Sequence, residues 1–397
     1  MSTEVGRYLP RVRAVMREGE RVTPLELFFD LVFVLALTQC TTLMAGTPTW
    51  LGLLKGLLVL GMLWWSWVGY AWLTSVVDPE EGLVRLVMFA AMAAFLIAAL
   101  CVPGAFGADA LLFAIAYMAV RVAHIFLFML ASRDDAKLRK SVVALAGSTA
   151  VGAGLILAAA FAGGTLRLTL WGLALVLDAA GPYLFGAEGW KLVPGHFAER
   201  HGAIVIIALG ESIVAIGVGA RQKIDGGIAV GALLGMAVAA ALWWAYFDVT
   251  AIIAGRQLAG AEVGREQNEI ARDSYSYLHF PLVAGIALLA VGLKLTLAHV
   301  EHPLKLVPAV ALLGGTALYL LGHVAFRLRN IGTVSVRRLV CALALVALVP
   351  LAGQVSALAL LAVMTLVLVA MIVYEVLRYA DFRDRVRHLD VDRDPAG

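Results

Sequence analysis

The feature that most constrains this chain is a succession of long apolar runs, each about twenty residues, divided by short segments that collect the charges. A helix rises ~1.5 Å per residue and needs about twenty apolar residues to cross ~30 Å of hydrocarbon, so each run reads as one crossing. The runs are continuously apolar and do not alternate with period two, which selects helices over a barrel. Spans are expected at 26–44, 50–75, 83–106, 110–132, 139–162 and 166–186, then at 201–220, 227–254, 275–300, 304–327, 336–353 and 355–378. The fold class is therefore all-α: a polytopic transmembrane helical bundle of about twelve spans.

Composition agrees. The chain is 62% apolar and 15% charged, with a mean hydropathy of +0.90, where soluble domains run at roughly 45–50% and 25%. Cys40, Cys101 and Cys341 lie far apart inside apolar runs, so neither a disulfide framework nor a zinc cluster is expected. The expected surroundings are the lipid bilayer, with no nucleic-acid partner and no cofactor. A homo-oligomer is left open.

Orientation follows from the basic residues. With the N-terminus inside, twenty-four of the 31 Lys and Arg fall on the cytoplasmic side, five on the other, and two (Lys55 and Arg121) within spans. This divides the chain into a cytoplasmic basic segment (1–24), a first six-helix half (25–186), a cytoplasmic connector (187–200), a second half (201–378) and a cytoplasmic tail (379–397). Residues 1–24 have no short apolar stretch with a small-residue cleavage site, so they do not read as a leader. The halves look faintly alike. Each has an aromatic cluster in its second helix (Trp64-Trp65-Ser66-Trp67 and Trp243-Trp244-Ala245-Tyr246) and a His late in its fourth (His124 and His323). Two six-helix units inserted in the same direction form a parallel repeat.

An ionisable side chain in hydrocarbon costs at least ~2.5–3.5 kcal/mol, so each one within a span is a functional candidate. In the first helix, Glu26 and Asp30 are four residues apart and share a face, and Thr41 falls near that face about three turns on. Thr23 and Pro24 supply a cap and a first-turn proline ahead of them. The pair reads as a cation site or proton relay, or as interfacial acids held by basic residues such as Arg21. Glu211, within ALGESIV, has no charge within six residues on either side. It reads as a pathway residue or as a neutral acid bonded to a neighbouring helix, with Gly210 allowing another backbone close. His196, Glu199 and His201 fall where a loop meets the seventh helix. They offer metal-ligand chemistry, but the spacing is not HExxH, and a solvated cap is the simpler expectation. Arg121 and Asp178 sit at matching depth in the fourth and sixth spans, and an isolated Arg at that depth requires a partner. Asp248 and His279 fall near the inner leaflet and are expected to face the cavity of Asp30. The nine tryptophans are expected mostly in interfacial or lipid-facing belts and are assigned no chemistry.

The stretches RVTPLELFFDLVFVLALTQ, ERHGAIVIIALGESIVAIG and SYLHFPLVAGIALLAVGL resemble, in that order, the bacterial low temperature requirement A family. The resemblance spans nearly all of 20–378 and marks Glu26, Asp30, Glu199, Arg200, His201, Glu211 and His279 as motif positions. It implies a multi-pass protein of the bacterial cytoplasmic membrane but no activity, since the family takes its name from a cold-growth phenotype. A more distant likeness is to potassium channels with an Arg…Phe-Ser-Asp signature. Arg21, Phe28 and Asp30 follow that order, but Phe29 replaces the Ser and the seventh helix has no equivalent.

The expectation is an ion or proton channel, or an ion-coupled transporter, whose pathway runs between the first and seventh helices and is lined by Glu26, Asp30 and Glu211. Two alternatives stay open: an intramembrane metal-dependent enzyme using His196, His201, His279 and Asp30, and a scaffold or lipid sensor for cold adaptation.

Overall fold

The structure, a computed structural model, describes residues 21–184, 189–220 and 224–388. Most of the basic N-terminal segment, Arg221 and Lys223, and the end of the C-terminal tail lie outside the described residues. Among the described residues every regular element is helical. The first half comprises α1 (Pro24–Gly46), α2 (Trp50–Thr74), α3 (Gly82–Leu100), α4 (Ala110–Ala131), α5 (Ala136–Phe161) and α6 (Gly164–Leu184). The second comprises α7 (Pro194–Gly219), α8 (Gly226–Phe247), the short α9 (Thr250–Gly260), α10 (Arg265–Ala298), α11 (Leu306–Ile331), α12 (Val336–Ala347), α13 (Ala357–Arg378) and the short α14 (Ala380–His388).

Eleven helical segments are long and apolar enough to cross a membrane, α8 and α9 counting as one. α6 has the length, at 21 residues, but carries Arg167 and Asp178 in its sequence. Both are accommodated. Arg167 donates to the carbonyls of Ala159, Ala162 and Phe106, and Asp178 pairs with Arg121. The packing of α7 on α1 bears on the count. Residues 26, 30 and 41 of α1 meet 196, 200 and 211 of α7 at a constant offset, so the two helices run parallel. A parallel pair needs an odd number of crossings between its members, and α2 to α6 provide five when α6 is included.

The order of neighbours recurs in the halves. α1 packs on α2 and α3, then α3 on α4, α4 on α5, α5 on α6, and α6 on α2. In the same way α7 packs on α8 and α10, then α10 on α11, α11 on α12, α12 on α13, and α13 on α8. This is the arrangement two parallel repeats would produce.

Several helices begin or break where apolarity alone does not mark them. α7 starts at Pro194, seven residues ahead of the expected span, so the last turns of the expected connector are helical. The expected span at 227–254 is interrupted after Phe247 and resumes at Thr250. α10 starts ten residues early and includes a π-helical turn at Ala271–Tyr277, a local widening often found at functional sites. It is the central helix of the bundle, packed against α1, α7 and α11 and buried throughout Leu282–Leu293. Its backbone touches that of α11: a Cβ on Gly285 would lie 2.7 Å from the Gly315 carbonyl oxygen, and one on Gly292 would lie 2.4 Å from the Leu312 Cα. Small residues permit that approach, the means by which membrane helices gain packing where water provides no driving force.

Candidate functional site

The site is the seam between α1 and α7, which carries two polar contacts. At the N-terminal end of both helices, Glu26 and Asp30 face His196 and Arg200, one i,i+4 pair against another in parallel register. Arg200 reaches Glu26 Oε1 at 2.7 Å and Asp30 Oδ1 at 3.0 Å, and His196 Nε2 lies 2.8 Å from the same Glu26 oxygen. All four side chains are fully buried. Glu26 also closes the helix cap. Its Oε2 accepts from the backbone N–H of Thr23 at 2.8 Å while the Thr23 hydroxyl accepts from the Glu26 N–H, a reciprocal capping box. One carboxylate therefore fixes the start of α1 and ties it to α7.

Further groups complete this cluster from α2. Trp67 donates its indole N–H to Asp30 Oδ1 at 2.7 Å, and the Thr74 hydroxyl accepts from Arg200 at 3.0 Å. Asp30 Oδ2 is buried with no hydrogen bond. Trp67 stands edge-on to His201, whose ring centroid is 5.1 Å away, and His201 in turn stands 5.2 Å from His279. His279 Nδ1 lies 2.9 Å from the Ser274 carbonyl oxygen, so that nitrogen carries the proton, and Nε2 accepts from the Tyr246 hydroxyl at 2.7 Å. The π-helical turn sets this geometry by bringing the Ser274 carbonyl under the ring. His201 Nδ1 likewise lies 2.8 Å from the Phe197 carbonyl, which leaves Nε2 as a buried atom without a partner. Indole, imidazole and phenol groups thus run in contact from Asp30 on α1 to Tyr246 on α8.

The second contact lies some 12 Å further along α1, at ~1.5 Å per residue from Asp30 to Thr38. Glu211 is buried there and accepts from the Thr38 hydroxyl at 2.5 Å and from the Thr41 hydroxyl at 2.6 Å. Lys294 of α10 is near enough to act on its charge. Since α7 starts at Pro194, Glu211 belongs to its C-terminal half. Buried Phe33, Leu37, Ile204 and Ala208 occupy α1 and α7 between the two contacts. Gly210, expected to admit a neighbouring backbone, has open space where a Cβ would stand.

The remaining candidates fall elsewhere. Arg121 and Asp178 meet at 3.0 Å, supported by Thr149 on the guanidinium and Tyr117 on the carboxylate. Asp248 does not join Asp30. It is clasped by Arg383 of α14, which donates at 2.5 and 2.8 Å, because the helix break after Phe247 turns it toward the C-terminal segment. Phe28 points outward and is exposed, as are Arg21 and Glu199, whose carboxylate accepts from the Val22 N–H at 3.0 Å. His196 and His201 are not a solvated cap. Both are fully buried within α7, because the acids of α1 compensate the polar start of that helix. Nor is Trp67 part of an interfacial belt. It is buried against Asp30, and only the i,i+3 spacing of Trp64 and Trp67 on one face of α2 hinted at an inward role. Among the described residues no three His, Cys, Asp or Glu side chains are grouped so as to hold a metal.

Residues 21–373 match the model of the bacterial low temperature requirement A protein family. An uncharacterized protein of Rhizobium meliloti (strain 1021) is 32% identical over 311 residues, covering 75% of each chain. No solved structure matches the chain.

Proposed function

The chain belongs to the bacterial low temperature requirement A family, and we propose that within it the protein is an ion-coupled transporter of the cytoplasmic membrane, with a proton as the coupling ion and Glu211 as its carrier. The observation that carries this reading is the contrast in partners along the α1–α7 seam. Glu26 and Asp30 are matched by Arg200 and His196, whereas the hydrogen bonds to Glu211 come from two hydroxyls. Hydroxyls can serve either protonation state, since each can donate or accept. A carboxyl held this way can gain or lose its proton while keeping both hydrogen bonds. In the orientation that puts both termini inside, the ion-paired cluster closes the cytoplasmic end of the seam and Glu211 lies toward the opposite side. Glu26, Asp30 and Glu211 are all buried in the seam, and a closed seam favours a transporter that alternates its access over a channel with a standing pore. Transported ion and substrate then share the route that opens when α1 and α7 part.

The test is proton uptake by liposomes holding the purified protein under an imposed pH gradient, repeated across several cations. The parent is expected to move protons. Glu211→Gln keeps the shape and the hydroxyl contacts but cannot exchange a proton, so it is expected to insert normally and lose uptake. Parent-level uptake by Glu211→Gln at equal incorporation would remove the proposal.

A further inference from the structure

Away from the seam, the second half holds a cavity of about 260 Å³ bounded by the ends of α8, α11 and α13, by α9, by the start of α12 and by α14. α14 folds back so that Arg383 clasps Asp248, and Phe382 lines the cavity beside it. Three buried polar atoms of its lining residues make no hydrogen bond: His323 Nε2, Gln257 Oε1 and Arg337 Nε, the last lying 3.6 Å from Glu375 Oε1. Their chemistry can be assigned. His323 Nδ1 accepts from Arg338, so the neutral ring carries its proton on Nε2 and presents a donor. The Gln257 amide donates its N–H to the Asn330 carbonyl, which leaves its oxygen as an acceptor. Arg337 Nε is a second donor. Buried polar groups are satisfied in the great majority of cases, so three orphans around one cavity indicate an occupant.

The charge around the cavity narrows its class. Four arginines (327, 337, 338 and 383) face two acids, Asp248 and Glu375. The acids are already taken by Arg383 and by Arg338, which grips Glu375 through two nitrogens. Arg337 shares Glu375 at 3.6 Å and otherwise meets neutral groups, donating to the Tyr379 hydroxyl, and Arg327 Nε donates to the neutral Thr333 hydroxyl. Two positive charges are thus in surplus beside two donors and one acceptor. Trp244 and Phe326 give the cavity an apolar wall. We propose that it binds a hydroxyalkyl phosphate: an anionic phosphate ester for the arginines and His323, with a free hydroxyl donating to Gln257. That chemistry occurs in the headgroup of phosphatidylglycerol and in soluble glycerol phosphate. Basic pockets between membrane helices are a recognised setting for anionic headgroups. The inference does not depend on transport and is read by binding alone.

The experiment titrates the purified full chain in neutral detergent with short-chain phosphatidylglycerol, phosphatidylcholine of the same chain length, glycerol 3-phosphate and inorganic phosphate, following heat of binding and melting temperature. Saturable binding of phosphatidylglycerol, with phosphatidylcholine inert, supports the proposal and identifies a lipid. Binding of glycerol 3-phosphate that displaces the lipid supports it with a soluble source. Arg337→Gln removes one charged donor, and Gln257→Glu sets a carboxylate against the phosphate; each is expected to weaken binding at least about tenfold, the scale of one charge-assisted hydrogen bond. Should Arg337→Gln fold poorly, Gln257→Glu, which adds no bulk, decides alone. No saturable binding by either phosphate ester overturns the proposal. So do phosphatidylcholine or inorganic phosphate binding as tightly as the esters, and affinities unchanged in the folded variants.

Discussion

Along a single seam, α1 and α7 meet twice on polar ground, and the two contacts differ in kind. At the N-terminal end two carboxylates are shared between a guanidinium and an imidazole, every member buried and several of them serving a second bond. Toward the C-terminal end one carboxylate meets two hydroxyls. Charges that compensate each other out of water are costly to separate, so the first contact fixes the register of the helices. Hydroxyls that tolerate either protonation state leave the second free to change. On the proposed reading the same pair of helices is held firmly at one end and free to exchange a proton at the other, a division of labour suited to a rocking transporter.

The largest effect should come from Arg200→Ala, which leaves Glu26 and Asp30 buried without their shared cation. Breaking a buried pair typically costs about 3–5 kcal/mol, and here two acids lose a partner at once, so a sharp fall in yield and in melting temperature in detergent is expected. Parent-like melting would mean the cluster does not hold the seam. Arg121→Ala and Asp178→Ala should each cost about 3–5 kcal/mol for the same reason, while the double substitution regains much of the loss. Simple additivity in that cycle would show that the 3.0 Å contact is not a coupled pair, and would weaken the same argument at Arg200.

Smaller effects separate stability from function at the other contact. Thr38→Val and Thr41→Val each delete one hydroxyl, at about 1–3 kcal/mol where a buried acceptor loses its donor. Proton uptake should fall more steeply than melting temperature in both. Uptake and stability falling in proportion would make the hydroxyls structural only. The smallest effect is expected at Asp135, which caps α5 outside the membrane spans. Lys191, 2.7 Å from its carboxylate, and the N–H groups of Leu138 and Lys137 hold its carboxyl below the usual range. A depressed acid contributes stability above its unfolded value and loses it as pH falls through the folded one. Asp135→Asn keeps the cap and removes only the solvent-screened charge facing Lys191, so it should cost at most about 1 kcal/mol near neutrality, and this difference should vanish in strong acid.

How far all this could be read in advance depended on whether the signal was local. The spans and the start of α1 at Thr23 and Pro24 are written in neighbouring residues, and so were legible, whereas the part of Glu26 in that cap was not read. Arg121 and Asp178 announced each other because an ion at that depth demands a counter-ion and few were on offer. His196 and Arg200 looked like a polar connector, since the acids that make their helix tolerable lie 170 residues away. Trp67 was hidden for another reason: an indole suits a membrane interface and a buried hydrogen bond equally, and only the fold distinguishes them. The π-helical turn that aims His279, and the helix break that gives Asp248 to Arg383, left no mark in apolarity.

The most direct test of the central claim is reaction with a hydrophobic carbodiimide, which attacks carboxyl groups that carry a proton and reach it from the lipid. The protein, reconstituted and labelled while moving protons, is digested and its peptides are weighed. Modification is expected at Glu211, rising with turnover and abolishing uptake, with Glu26 and Asp30 spared because Arg200 holds both. Equal labelling of all three acids, or full uptake with Glu211 quantitatively modified, would contradict it.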